Sequence, residues 1–324
     1  MKHLLLFAAL GLASCHVGLA ADAFVPAPAD PLIGDWQSSA TDGPVAQLSR
    51  DAHQDYQLNL LRAFDGGADN VLATLRGKPR EGETLRLRGG GWQADFVNGA
   101  LTVTRDTETH ALKRVLRASP TLGALPPAGA VHLFRGGNFA GWTKKKGKDW
   151  LQPDGPPAWR LTEDGAIEVV PGSDSIISEQ QFGDCRLHVE FRTLGTPTNS
   201  GVYLLARYEI DLNESYGRLD GNPCGSLGNC SPVKPTLRAG RAPLEWQTLD
   251  VEFRAPRFDA SGKKIAPARA TVILNGVTLY ADQELDPPKG AAGRLGEAAT
   301  GPLLLQEHGA PLQFRNIWIE PLAR

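Results

Sequence analysis

From Tyr56 to Val103, apolar residues fall on every second position: Tyr56/Leu58/Leu60, Val71/Ala73/Leu75, Leu85/Leu87, Trp92/Ala94/Phe96 and Leu101/Val103. Successive strand side chains point to opposite sides, so a period of two with one apolar face means half-buried strands. Turn sequences such as Asp65-Gly66-Gly67 and Gly89-Gly90-Gly91 separate the runs. Short connections of this kind join antiparallel strands. No useful length of 3.6-residue periodicity occurs, which argues against a helical bundle. Residues 22–118 are therefore expected to form a small β-barrel or β-sandwich, and nothing in them marks a catalytic centre. His53 and His110 have polar neighbours and are expected at the surface.

Three prolines among small residues make 119–130 a semi-stiff linker and a natural domain boundary. Beyond it, 131–324 carries short strand candidates at close intervals: 166–170, 175–178, 186–192, 201–205, 208–212, 248–253, 270–274, 302–306 and 314–320. That spacing predicts a two-sheet sandwich, with a jelly roll favoured at this length. The stretch 213–241 is rich in Gly, Pro and Asn and is expected to be a long loop. Loops of that length inside a compact domain are usually functional or disordered. The fold class is all-β.

A positive start, Met1-Lys2-His3, precedes an apolar run from Leu4 to Ala13. Residues 1–21 match a signal peptide, and the run is too short for a membrane-spanning helix. Gly18-Leu19-Ala20 suits ordinary cleavage, while Leu12-Ala13-Ser14-Cys15 matches a lipobox in which Cys15 would be lipidated. Either route predicts export, to the periplasm or beyond, with no transmembrane helix in the mature chain. The net charge of −2 and the single basic run Lys144-Lys145-Lys146, expected to be a solvated loop, lack the footprint of nucleic-acid binding. In an oxidising compartment Cys224 and Cys230, which bracket a turn-rich stretch, would close a small disulfide loop. Cys185 falls on an apolar phase and is expected to be a buried thiol.

In the strand beginning at Tyr208, alternation puts Tyr208, Ile210 and Leu212 in the core. It puts Arg207, Glu209, Asp211 and Asn213 on the other face. Such a polar row suits a sugar groove, whose hydroxyls need paired donors and acceptors; the plainer alternative is a solvated sheet face. Gln306 and His308 share a second face, and histidine moves protons near neutrality. Asn199 could bind a hydroxyl or cap its turn.

In order along the chain, Leu133-Phe134-Arg135-Gly136 with Gly141-Trp142, Asn199-Ser200-Gly201-Val202, Tyr208-Glu209, Glu245-Trp246, Leu274-Asn275-Gly276 and Leu305-Gln306-Glu307-His308-Gly309 with Phe314-Arg315-Asn316-Ile317 are similar to the motifs of one family. The chain resembles the 3-keto-disaccharide hydrolases (3-keto-glucoside lyase-hydratases) over about Val131 to Leu322. It departs from them at Asp211, where Gln is usual, at Gln247, where Asn is usual, and at the Cys224–Cys230 loop.

The resemblance implies a concanavalin-like jelly roll that acts on a glycoside oxidised at C3 by a separate oxidoreductase. It implies C2–H abstraction, elimination of the C1 substituent and hydration. Glu209 or His308 would be the base; Arg207, Lys234 or a divalent ion would steady the enolate. Asn199, Asp211, Asn213 and Gln306 would bind hydroxyls. Glu209, Asp211 and His308 together would suit Mn or Ca. A direct two-carboxylate glycosidase is a second enzyme reading, since Glu209 and Asp211 lie roughly 6.5–7 Å apart by strand rise. A non-catalytic carbohydrate-binding module, with Trp150, Trp159, Tyr203 and Tyr216 as platforms, is the alternative from another class; an envelope structural protein is a third.

Overall fold

The computed structural model describes residues 25–26, 30–51, 53–78 and 85–323. The leader, including Cys15 and both cleavage sites, lies outside the described residues.

Eight antiparallel strands from Gly34–Ser38 to Glu108–Val115 run up and down and close into a barrel, the last pairing with the first. The barrel alternative therefore holds for the first segment. Closure follows from the alternation: an eight-stranded barrel has an interior just wide enough for its inward side chains to fill. Leu48, Leu58, Leu60, Leu75, Leu87, Leu101 and Trp36 do so, and the edge of Trp36 meets the ring of Phe96 at 5.3 Å between centroids. His53 is exposed, whereas His110 is half-buried, 2.8 Å from Glu108.

The second segment is a sandwich of two antiparallel sheets. The back sheet centres on Leu312–Pro321, Cys185–Thr193, Gln247–Arg254 and Arg269–Leu274. The front sheet runs in the order Asp149–Pro153, Trp142–Lys146, Ile176–Phe182, Gly301–Leu305, Gly201–Leu204 and Tyr208–Asp211. Their inner faces share one core that includes Val189, Phe191, Phe253 and Phe314 from the back and Val202, Tyr208, Ile210 and Leu305 from the front. Full burial of one such side chain contributes about 1.5–3 kcal/mol. Tyr208, Ile210 and Leu212 are all buried, as alternation requires, and Cys185 is a core thiol whose burial lifts it to about 12.

The 119–130 stretch is not a free spacer at its start. Ser119 pairs with Thr248 at 2.5 Å, Thr121 donates to Asp250 at 2.6 Å, and the Gly123 amide donates to Glu190 at 2.6 Å. The chain is thus laid on the back sheet over buried His188 and its half-buried partner Asp250 (2.6 Å).

The barrel also grips the long loop. Asn59 and Gln57 both donate to the Gly217 carbonyl, at 2.7 and 2.9 Å, and the Tyr216 hydroxyl donates to Asp35 at 2.8 Å. Arg117 bridges Asp35 and Asp65, and Arg241 joins Asp65 at 3.0 Å. Paired in this way, these charges can be buried.

Candidate active site

Two clefts border the outward face of the Tyr208–Asp211 strand. The first, of about 590 Å³, is floored by the front sheet and lined by Glu209, Tyr203, Gln306, His308, Lys145, Trp150 and Asn229, together with Gly290–Ala292. The second, of about 330 Å³, is lined by Asp211, Asn213, Asn199, Arg218 and Asn222 among others. A third cavity, of about 60 Å³ at the barrel junction, admits only a few waters and is too small for a sugar.

A tight hairpin sets the geometry of the first cleft. Gly201–Leu204 pairs antiparallel with Tyr208–Asp211 so that Tyr203 lies directly opposite Glu209. The turn places Leu205 and Ala206 at φ of 57° and 55°, a region that side chains with a Cβ rarely enter. It holds because the Arg207 amide donates to Leu204 O at 2.9 Å and the Arg207 guanidinium donates to Leu205 O at 2.7 Å and Gly296 O at 2.6 Å.

Across the pair, the Tyr203 hydroxyl donates to Glu209 Oε1. Gln306 Nε2 donates to the same hydroxyl oxygen at 3.0 Å, and the Trp150 ring meets Tyr203 edge-on at 5.3 Å. Gln306 Oε1 is buried and meets no donor among the described residues. Gly201 is required here: a Cβ would come within 2.9 Å of the Tyr203 ring, 3.1 Å of Glu209 Oε1 and 3.3 Å of Gln306 Oε1. Asn229, from the long loop, fixes the backbone behind Glu209 by accepting from its amide at 3.0 Å and donating to Arg207 O at 2.8 Å.

Burial raises the Glu209 carboxyl above its ordinary value, against the pull of the Tyr203 hydrogen bond and of His308. Asp211 is pushed up to about 7 by burial and then by the Glu209 charge. Its carboxylate lies against Gly228, where a Cβ would stand only 2.5 Å from Oδ1. The two neighbouring carboxyls are thus biased so that one holds a proton while the other is ionised.

Several expectations need correction. Arg207 does not face the cleft: its guanidinium is spent on backbone carbonyls, so it braces the hairpin and leaves no cation for an enolate. Lys234 is exposed and lines neither cleft. Lys145, expected in a solvated loop, sits in the strand Trp142–Lys146 with its Nζ 2.7 Å from Gly147 O and 3.5 Å from Asp174, and it lines the first cleft. Glu209, Asp211 and His308 do not form a three-ligand set, and no such set occurs among the described residues. Glu209 is engaged by Tyr203, Asp211 lines the second cleft, and His308 stands exposed at the first, so a Mn or Ca site does not fit them.

Cys224 and Cys230 are free thiols. Their sulfurs lie 3.8 Å from Asp211 O and Glu209 O, respectively, so each packs at a different residue of the same strand rather than against the other. Trp159 stacks on Phe314 in the core and Tyr216 is buried against the barrel, so neither offers a platform. Asn199, Asp211 and Asn213 gather at the second cleft, Glu209, Gln306 and His308 at the first.

The sequence marks Tyr203 only as a stacking platform, not as a partner of Glu209, and does not mark Asn229. Tyr203 becomes legible once the hairpin register is known, whereas Asn229 carries no local signal.

The first cleft thus presents amides, a tyrosine hydroxyl and the Glu209 carboxyl beside one aromatic edge, with Asp211 in the second. Residues 129–320 match the model of the 3-keto-alpha-glucoside-1,2-lyase-like domain, and the chain belongs to that family. A protein of Parabacteroides distasonis provisionally named a glycosyl hydrolase is similar over 60% of this chain and 85% of its own, at 30% identity and a TM-score of 0.51. Two others from that organism with the same provisional name are 20% and 22% identical over 60% of this chain and 94% and 99% of theirs, each with a TM-score of 0.43. No curated protein matches the chain. Membership supports glycoside-processing activity for the sandwich.

Proposed function

We propose that the chain cleaves 3-keto-glycosides by 1,2-elimination, with Glu209 as the base. The observation that carries this reading is the Tyr203–Glu209–Gln306 constellation: a carboxyl raised by burial, held by one hydroxyl and facing open space beside an unpaired amide oxygen.

A ketone at C3 acidifies the C2–H bond. Glu209 removes that proton, the electron pair forms the enolate, and the enolate collapses to a C1=C2 bond as the C1–O bond breaks. Asp211, protonated in part near neutrality, returns a proton to the departing oxygen. Lys145, Lys289 and His308 line the cleft and are available to the developing O3 charge. Addition of water to the enone would complete a net hydrolysis. The supplier of the substrate is a glycoside 3-oxidoreductase, and a leader of the kind expected in 1–21 would set both steps outside the cytoplasm. The direct glycosidase reading would use the same two carboxyls on unoxidised substrates. The carbohydrate-binding reading draws on Trp150 and Tyr203 but leaves the raised carboxyls without a role.

The test is incubation of the purified protein with 3-keto-glycosides beside their unoxidised parents. Cleavage confined to the keto sugars is expected. Cleavage of the parents would favour the direct glycosidase, and binding without cleavage the module.

A further inference from the structure

We propose that the second cleft is a leaving-group subsite for a polyhydroxylated, sugar-type leaving group; this rests on the elimination reading above. Glu209 lines one cleft and Asp211 the other, from the same face of one strand and two residues apart. Strand rise separates such residues by roughly 6.5–7 Å. A bond broken between them leaves the keto ring in the first cleft and its leaving group in the second.

The second cleft selects the chemistry of that group. Pro197 is the one apolar side chain on its wall; the others are hydroxyls, amides, carboxyls and Arg218. No aromatic side chain lines it, and Pro197 is its one aliphatic side chain, which leaves an aryl aglycone without a stacking partner. Asn213 donates its Nδ2 to Asn222 O at 3.2 Å, while its Oδ1 is buried and meets no donor among the described residues. A buried acceptor left unpaired is destabilising. The O–H of a sugar entering the cleft supplies the missing donor. Asn199, exposed on the same cleft, offers a second amide.

The outer wall, from Glu214 to Asn222, belongs to the loop that the barrel grips at Tyr216 and Gly217. The barrel thereby fixes the width of this subsite without touching the first cleft.

The experiment compares kcat/KM for 3-keto-trehalose and for 4-nitrophenyl 3-keto-glucoside in the wild type, Asn213→Leu and Asn199→Ala. Asn213→Leu keeps the side-chain size and removes Oδ1. The disaccharide-to-aryl ratio is expected to fall about tenfold in each variant, the size of one lost hydrogen bond. An unchanged ratio in both would overturn the proposal. Should Asn213→Leu not fold, the exposed Asn199→Ala carries the test. Should the wild type cleave neither substrate, the elimination reading fails, and calorimetric titration with unoxidised trehalose decides the subsite. Binding weakened in Asn199→Ala supports it; equal or absent binding overturns it.

Discussion

Tyr203 and Glu209 face each other across an antiparallel strand pair, and the tyrosine hydroxyl donates directly to the carboxylate. The bond stabilises ionised Glu209 against the burial that favours its protonated form. Tyr203→Phe is therefore expected to raise the apparent pKa of the acid limb of the kcat/KM profile, with a smaller change in the pH-independent maximum. A limb that does not move would detach Tyr203 from the base.

The same profile should be bell-shaped. Glu209 must be ionised, which sets the acid limb above the ordinary carboxyl value, and Asp211 must hold a proton, which sets the basic limb near 7. Because the groups interact, both limbs belong to the pair. In Asp211→Asn the basic limb should vanish and kcat on a sugar leaving group should fall about 10²-fold. An aryl leaving group, which needs less protonation, should lose less. Equal loss on both would remove Asp211 from the acid's role.

Glu214 is buried at the barrel junction with its carboxyl raised to about 7, despite hydrogen bonds from Thr193 and the Tyr216 amide. Its folded pKa exceeds the unfolded value, so the folded state holds the extra proton. The stabilisation is complete below the unfolded value of 4.5 and is lost as pH rises through about 7. Across that window stability should fall by about 1.4 kcal/mol per pH unit for this group. Urea denaturation at several pH values should show a shallower slope in Glu214→Gln, with a remainder of the same sign from Asp211.

Asn59→Ala would leave the Gly217 carbonyl with the single donor Gln57. Loss of such a buried hydrogen bond should cost about 1–3 kcal/mol. Limited proteolysis near residues 218–222 should quicken before the barrel itself unfolds. Uniform destabilisation with unchanged cleavage of that loop would mean the barrel does not hold it.

Much of this architecture could be read from alternation alone. The run from Tyr208 to Leu212 assigned its own inward and outward faces, and the strands around Arg186–Arg192 and Thr248–Phe253 were visible as periodic segments. The edge strand Asp149–Pro153 and its neighbour Trp142–Lys146 were not, because Lys, Asp and Gln interrupt the apolar alternation in both. The hairpin that aligns Tyr203 with Glu209 was hidden for a different reason. Its turn uses Leu205 and Ala206 where Asn or Gly is the usual signal, and a buried arginine supplies the compensation. Arg207 looked like a groove cation because alternation reports a side of the strand, not where a long side chain ends. The misplaced disulfide came from spacing in a turn-rich segment; spacing cannot show that both thiols are occupied in packing against the strand.

Free, buried Cys224 and Cys230 make a direct prediction: a reductant should leave the melting temperature unchanged, and a thiol reagent should reach both only after unfolding. A drop in melting temperature on reduction would restore the disulfide.

The central claim is that Glu209 abstracts the C2 proton of a 3-keto-glycoside. The most direct measurement is exchange of the C2 hydrogen with solvent deuterium, followed by NMR alongside release of the leaving group, in the wild type and Glu209→Gln. The account predicts cleavage of the keto substrate alone and loss of both exchange and cleavage by at least about 10²-fold in the variant. Cleavage that survives in Glu209→Gln, or cleavage of the unoxidised glycoside at a comparable rate, would contradict it.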